Sequence, residues 1–308
     1  MSGAHPCDNW IWLRGEIVRQ SAAKVSVLSP MAQFGLNVFE GIRGYWNAQQ
    51  AQLHAFRLDD HLLRLERSGR LARLNLPYTS GQIEGFMRDA IAANDFREDI
   101  AVRMTVFADG EGSWHACGPV SMFIAPIARP RTCLSGLEGK AACISSWERI
   151  NDNALPPRVK LGANYINGRY AHLQALADGY DVPIFLGRDG KVSEGAGACL
   201  FMVRGGVLVT PSITSSVLES ITRETVISLA GLGGFCVEQR PVDRTELYLA
   251  EEIFLCGSAA EITPITSIDR FIVGEGVPGP VTLALLEAYH GVAAGEDSAF
   301  PEWRTPIY

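Results

Sequence analysis

The chain has 308 residues, 47% of them hydrophobic, and a formal net charge of −7. That length predicts a globular protein with a large core and about two domains. The acidic balance, with no basic run interleaved with aromatics, excludes a nucleic-acid partner from the expectation and points to small molecules. No stretch approaches the ~18 uninterrupted apolar residues of a membrane span. The opening "MSGAHPCDNW" lacks the basic-then-apolar layout of a signal peptide, so no membrane partner and a cytoplasmic location are expected. Seven cysteines, at 7, 117, 133, 143, 199, 236 and 256, form no CxxC pair. They read as scattered reduced residues, with no disulfide frame and no metal site.

In chain order, "WIWLRGEIV" and "KVSVL" read as strands, followed by the pair "VFEGIRGYW" and "AQLHAF". From Asp59, which could cap, "DDHLLRLERSGRLARLNL" sets Leu62, Leu65, Leu71 and Leu74 at helical intervals, and "GQIEGFMRDAIAAN" predicts a second helix. "DIAVRMTVFA" and "PVSMFIAPI" return to strand. Residues 1–128 therefore form one α+β domain, and "ARPRTCLSGLEGK" supplies a linker over 129–140.

The domain over 141–308 starts with strand "AACISSW" and a helix "INGRYAHLQALADG" that Gly179 stops. Asp189-Gly190 predicts a hairpin between "PIFLGR" and "KVSEG". Strand "ACLFMV", hairpin "RGGVLVT", helix "ITRETVISLAGLG", strands "CVEQRPV" and "EIFLCG" and helix "PVTLALLEAYHGV" follow. The order mixes strands and helices without a strict βαβ alternation, which predicts two α+β domains.

Only four lysines occur, at 24, 140, 160 and 191. Lys24, Lys140 and Lys191 fall at turns, at the linker or between polar residues. Lys160 alone stands in apolar, strand-like company between "PPRV" and "LGAN". Burial there would favour the neutral amine, the form that adds to a carbonyl as a Schiff base. Tyr165, five residues on, could offer a phenol to the same pocket. Glu194 lies in "KVSEGAGACLF", where Gly195, Ala196 and Gly197 leave room for a flat ring and Lys191 is the only basic side chain nearby in sequence. A pyridinium nitrogen would suit such a carboxylate.

"SSVLESITRETV" sets Ser220, Ile221 and Thr222 at a helix start, where free N–H groups and the dipole favour phosphate, although plain capping by Ser216 or Ser220 explains the same hydroxyls. Gly257, Ser258 and Ala259 form a second small-residue turn open to an anion. An arginine of the helix after "DDHLL" could reach a phosphate, and spacing alone does not choose among Arg64, Arg67, Arg70 and Arg73. Together these residues describe a pyridoxal phosphate site; the chain lacks a Rossmann glycine motif, a P-loop, GxSxG and HExxH.

Six segments in one order, "VFEGIR" at 38–43, "HLLRL" at 61–65, "KLGANY" at 160–165, "SEGAG" at 193–197, "SITRE" at 220–224 and "GSAAEITPI" at 257–265, resemble the branched-chain-amino-acid aminotransferase family, the fold type IV pyridoxal phosphate enzymes. The resemblance implies a smaller N-terminal α/β sandwich, a larger C-terminal domain with a barrel-like sheet, and a homodimer or higher homo-oligomer. It implies pyridoxal 5'-phosphate held as a Schiff base on Lys160, with Tyr165 on the ring oxygen and Glu194 on the ring nitrogen. Arg64, Ile221, Thr222 and Ser258 would hold the phosphate, and Phe34, Phe39, Arg43, Arg103, Ser258 and Ala259 would face the substrate.

Implied partners are an amino donor and a keto-acid acceptor. The implied reaction moves the amino group of a branched-chain, larger hydrophobic or aromatic L-amino acid to a 2-keto acid such as 2-oxoglutarate. A D-amino acid or amine transaminase and an aminodeoxychorismate-type lyase are the alternatives in the same fold. Ala101, where the family usually has an aromatic, implies a wider pocket, and Ala198-Cys199 replaces the family's usual Glu-Asn.

Overall fold

The computed structural model describes residues 8–308. Residues 1–7, with Cys7 and the start of the segment read for a signal peptide, lie outside them. The chain divides into two compact units: the first takes the described residues up to Pro130, Leu161–Ala163 and Phe300–Tyr308, and the second takes Arg131–Lys160 and Asn164–Ala299.

The first unit opens with β1 (Trp10–Leu13) and β2 (Glu16–Arg19). They close as a hairpin because Arg14 and Gly15 both take positive φ, 52° and 97°, as a tight turn with right-handed strand twist requires. "KVSVL" forms no strand. Its alternation has no face to bury, Val27 is 80% exposed, and a short helix, α1 (Pro30–Phe34), follows under a Ser29 cap.

Next come β3 (Asn37–Asn47) and β4 (Gln52–Phe56), then α2 (Leu58–Leu71) and α3 (Ser80–Ala92). α2 begins one residue ahead of Asp59, with Arg57 in left-handed backbone at the cap; Asp59 and Asp60 lie inside the first turn, where carboxylates complement the helix dipole. α3 carries a full capping box between Thr79 and Gln82. β5 (Ile100–Ala108) and β6 (Val120–Ala128) complete this part. β3 and β5 run in continuous antiparallel register from Asn37↔Phe107 to Gly44↔Ile100. Val38, Ile42, Leu65, Ile83, Met87, Met104 and Ile124 are buried between this sheet and its helices. Trp12 stacks on Phe86 of α3 at 4.3 Å between ring centres.

The second unit holds β7 (Lys140–Ile144), α4 (Tyr165–Ala177), β8 (Val182–Leu186), β9 (Val192–Gly195), β10 (Cys199–Arg204), β11 (Val207–Thr210), α5 (Ile221–Leu232) and β12 (Val237–Gln239). β13 (Glu252–Gly257), β14 (Glu261–Ile268), β15 (Phe271–Ile272) and α6 (Pro280–Ala294) follow. The strands run β12-β11-β10-β13-β14-β7-β8-β9, with β15 on β14, in a strongly curled half-barrel. Leu200, Met202, Ile253 and Leu255 face one core with Ile184, Val192 and Ile265. The alternate residues Phe201 and Phe254 stack at 5.1 Å on the other face, and α5 and α6 pack on β13. Both faces are covered, so β10 and β13 read as unbroken apolar runs.

The chain then returns to the first unit, where β16 (Arg304–Pro306) pairs with β4. The sheet there runs β16-β4-β3-β5-β6-β1-β2. The α+β class agrees with the sequence reading. The assignment of 161–163 and 300–308 to the first unit had no signal in composition or periodicity.

Candidate active site

Lys160 precedes a turn of 3-10 helix (Gly162–Asn164) that leads into α4. Asn164 fixes the turn: its buried Nδ2 donates to Pro156 O at 3.1 Å and Val159 O at 3.0 Å. Contrary to the sequence reading, Lys160 lies in no strand and is half-buried rather than enclosed. Its Nζ donates to Tyr165 Oη at 2.8 Å. Tyr165 is the first residue of α4, so the helix start sets the phenol beside the amine. α4 approaches the 195–197 loop closely because residue 168 is glycine: a Cβ there would stand 2.8 Å from Ala196 O.

Glu194, on β9, is 3% exposed. Its expected isolation from basic side chains does not hold. Lys191 bonds Asp243 at 2.6 Å instead, while Arg149 Nη2 stands 2.7 Å from Glu194 Oε1. Oε2 accepts from Leu218 N at 3.2 Å and Cys199 Sγ at 3.6 Å. Burial pushes the Glu194 carboxyl up from its ordinary pKa, and the Arg149 guanidinium opposes that shift. Periodicity gave no sign of Arg149, which lies in the irregular segment after β7.

The Leu218 bond ties the carboxylate to the segment that enters α5. Ser220 is the cap, its Oγ accepting from Arg223 N at 3.2 Å, and Ile221 and Thr222 are the first two helical residues, both buried. The sequence reading also missed Arg223. It is buried beneath this helix start, its Nη2 donating to Pro211 O at 2.9 Å and Gln239 Oε1 at 3.0 Å. Gly257 ends β13 against Gly197 O, where a Cβ would lie 3.3 Å away, so the turn with Ser258 and Ala259 runs beside the 195–198 loop. Glu261 anchors that turn from a left-handed backbone (φ 50°), its Oε2 accepting from Thr132 N at 2.7 Å and meeting His290 Nε2 at 3.1 Å.

Lys160, Tyr165, Glu194, Ile221, Thr222, Ser258 and Ala259 thus share the second unit, whereas Arg64, Phe34, Phe39, Arg43 and Arg103 lie in the first. Arg64 grips Glu40 with both ends of its fork, Nε to Oε1 and Nη2 to Oε2 at 2.7 Å each, and His61 Nδ1 stands 2.7 Å from Oε2. Arg64 and His61 together hold the wholly buried Glu40 carboxyl far below the usual carboxylate range against the pull of burial. The Arg103 guanidinium lies over the Phe39 ring at 4.2 Å. Arg43 is buried and donates to Arg129 O at 2.9 Å. Phe34 ends α1, partly exposed.

The second unit's groups fit pyridoxal phosphate by donor chemistry. An amine meets a phenol, a carboxylate buried in one fixed pose suits a ring nitrogen, and a helix start with buried Thr222 offers N–H groups to a phosphate. When bound, that cofactor supplies a carbonyl for an amine and an electron sink for a carbanion.

The family model "Amino-transferase class IV" matches residues 37–268. The chain is 37% identical over 295 residues, 94% of each chain, to "Branched-chain-amino-acid aminotransferase" of Escherichia coli (strain K12). Its fold matches the branched-chain amino acid aminotransferase from Thermobaculum terrenum in PLP-form, at TM-score 0.92 and 44% identity over 98% of this chain and 99% of that one. It also matches the T.th. branched-chain amino acid aminotransferase complexed with N-(5'-phosphopyridoxyl)-L-glutamate, at TM-score 0.92 and 33% identity over 98% and 100%. A lysine beside a phenol, a buried carboxylate and these likenesses along nearly the whole chain converge: the protein belongs to the class IV amino-transferases, the family of the branched-chain-amino-acid aminotransferases.

Proposed function

We propose that the protein is a pyridoxal phosphate-dependent aminotransferase that moves the amino group of an L-amino acid, branched-chain or a larger hydrophobic or aromatic one, to a 2-keto acid such as 2-oxoglutarate. The observation that carries this reading is Lys160 Nζ at 2.8 Å from Tyr165 Oη, in the unit that holds the buried Glu194. The solved relative complexed with N-(5'-phosphopyridoxyl)-L-glutamate supports glutamate and its keto acid as one substrate couple.

Lys160 would hold the cofactor through Nζ, and the bound cofactor would supply the carbonyl that the donor's amine needs. A free Nζ at that position would act as general base toward the donor's α-proton and return it on the product side. Tyr165 Oη would donate to the ring oxygen and Glu194 would accept from the ring nitrogen. Thr222, the Ile221 and Thr222 backbone, Ser258 and Arg64 would hold the phosphate. Phe39, Phe34, Arg43, Arg103 and the Ser258-Ala259 turn face the substrate, and Arg103 is suited to its carboxylate. Small side chains at Ala101 and Ala198 leave room for donors bulkier than leucine.

The test mixes the cofactor-loaded protein with L-amino acids, D-amino acids and carboxylate-free amines and follows the cofactor absorbance through one half-reaction. Loss of the band with L-leucine or an aromatic relative is the expected result, and K160A should give neither band nor turnover. Response only to D-acids or amines would move the activity to another branch of the fold.

The exposed face of α4, with Ile166, Tyr170, Leu173 and Leu176, and Trp147 stacked on Tyr170 at 5.2 Å, supports a homodimer. Light scattering at twice the chain mass is the expected reading. The free thiols Cys117, Cys133, Cys143, Cys199, Cys236 and Cys256 suit a reducing cytoplasm, and among the described residues no helix is long and apolar enough to cross a membrane.

A further inference from the structure

We infer that Arg149 is a positioning residue for the cofactor's ring nitrogen, acting through Glu194: it keeps that buried carboxylate ionised and in one orientation. The inference rests on the proposed cofactor and extends it to a residue that does not itself touch the ring.

A carboxylate shut away from water takes up a proton unless a cation or N–H donors face it. Glu194 has both kinds of partner, divided between its oxygens. Oε1 faces Arg149 Nη2 at 2.7 Å, and Oε2 accepts from Leu218 N and Cys199 Sγ. The backbone N–H and the thiol are neutral, so Arg149 supplies the only full positive charge among these contacts. A carboxylate offers about four acceptor positions, so the three bonds leave room for a ring N–H.

Arg149 is itself held from several sides. Its backbone N donates to Leu186 O at 2.9 Å at the end of β8. Its Nη1 donates to Asn167 Oδ1 at 3.3 Å, and its guanidinium lies 5.7 Å from the centre of the Phe185 ring. Asn167 also accepts from Ile150 N at 3.4 Å and donates to Glu148 O at 3.0 Å, which fixes the segment on both sides of Arg149. Asn167 stands two residues after Tyr165 on α4. One helix therefore presents the phenol for the ring oxygen and steadies the cation behind the carboxylate for the ring nitrogen.

Without Arg149, Glu194 would accept a proton to remain buried, and the ring nitrogen would meet a neutral acid. The effect should depend on the ring nitrogen and vanish for a ring that lacks it.

The test titrates cofactor-stripped wild-type protein, R149M and R149K with pyridoxal phosphate and with its 1-deaza analogue, in which C–H replaces the ring nitrogen. Quenching of intrinsic fluorescence gives each affinity without turnover. As with outer partners of other ligating groups, R149M should weaken pyridoxal phosphate by about ten- to a hundredfold and the analogue by less than about threefold. R149K, which keeps the charge but not the fork, should fall between wild type and R149M for pyridoxal phosphate only. If R149M does not fold, R149K carries the same comparison. An equal loss for both ligands, or no loss for pyridoxal phosphate in either variant, overturns the inference while leaving the proposed function standing. Failure of the wild type to bind pyridoxal phosphate overturns both.

Discussion

Glu40 has no exposed surface, and its charge is balanced by a two-pronged guanidinium and an imidazole. Cutting one side of such a pair leaves a charge in a dry core. R64M should therefore lower unfolding stability by about 3–5 kcal/mol, far more than an exposed pair would. Denaturant unfolding checks this, and a loss under about 1 kcal/mol, what exposed pairs give, would place the pair in water.

Asp109 makes a prediction about pH. Arg14 Nε and Nη2 at 2.6 and 2.7 Å, with Ser121 Oγ at 2.7 Å, lower its pKa from 3.8 to about 2. A depressed carboxylate stabilises the fold above its unfolded pKa and loses that contribution as pH falls. Wild type should lose about 2 kcal/mol relative to D109N between pH 3.8 and 2, and parallel acid-unfolding curves would contradict it.

Lys160, Tyr165 and Glu194 stood out as candidates in the sequence because rarity and neighbouring glycines mark them locally, and the structure sets the Lys160 amine beside the Tyr165 phenol. Arg149, Arg223 and Glu40 were not. Each gains its meaning from a partner distant in sequence, and composition cannot say which of many arginines meets which carboxylate.

Elements followed their patterns wherever a turn residue or cap fixed the ends. Asp189-Gly190 joins β8 and β9 as expected, Gly190 at φ 75°, and Gly205-Gly206 turns β10 into β11. Patterns misled where there was nothing to pack against. "KVSVL" alternates like a strand yet stays in irregular backbone, and "EITPI", assigned to no element from the sequence, enters the central strand β14.

Two element-level substitutions test the reading of the site's supports. Gly168→Ala in α4 should gain about 1 kcal/mol of helix propensity. The added methyl, 2.8 Å from Ala196 O, should cost about 1–3 kcal/mol because it meets backbone rather than a side chain that could move. The net expectation is a lower melting temperature, and a rise would show that the loop yields. Ser220→Ala should cost about 1 kcal/mol of α5 by removing the bond to Arg223 N, with pyridoxal phosphate affinity falling in step if that helix start holds the phosphate.

At the scale of the whole molecule, the last nine residues belong to the first unit. β16 extends its sheet at β4. Phe300 stacks on Trp303 at 3.9 Å, Arg57 covers Trp303 at 4.6 Å, and Arg88 Nη1 donates to Pro306 O and Ile307 O at 2.7 and 2.9 Å. A chain ended at Ala299 should expose β4 as a new edge. Limited proteolysis should then cut the first unit well before the second, and an unchanged cleavage pattern would count against this.

The path of the chain also limits how such a protein can be recombined. It leaves the first unit at Pro130, returns for Leu161–Ala163 immediately after Lys160, and returns again at Phe300. A chimera spliced once, between Pro130 and Arg131, would give the first unit of one parent the other parent's residues at 161–163, next to the lysine and beside Val38, which Leu161 bridges. Exchange that leaves each unit native takes three pieces, so drift in one unit drags selection into short segments encoded far away.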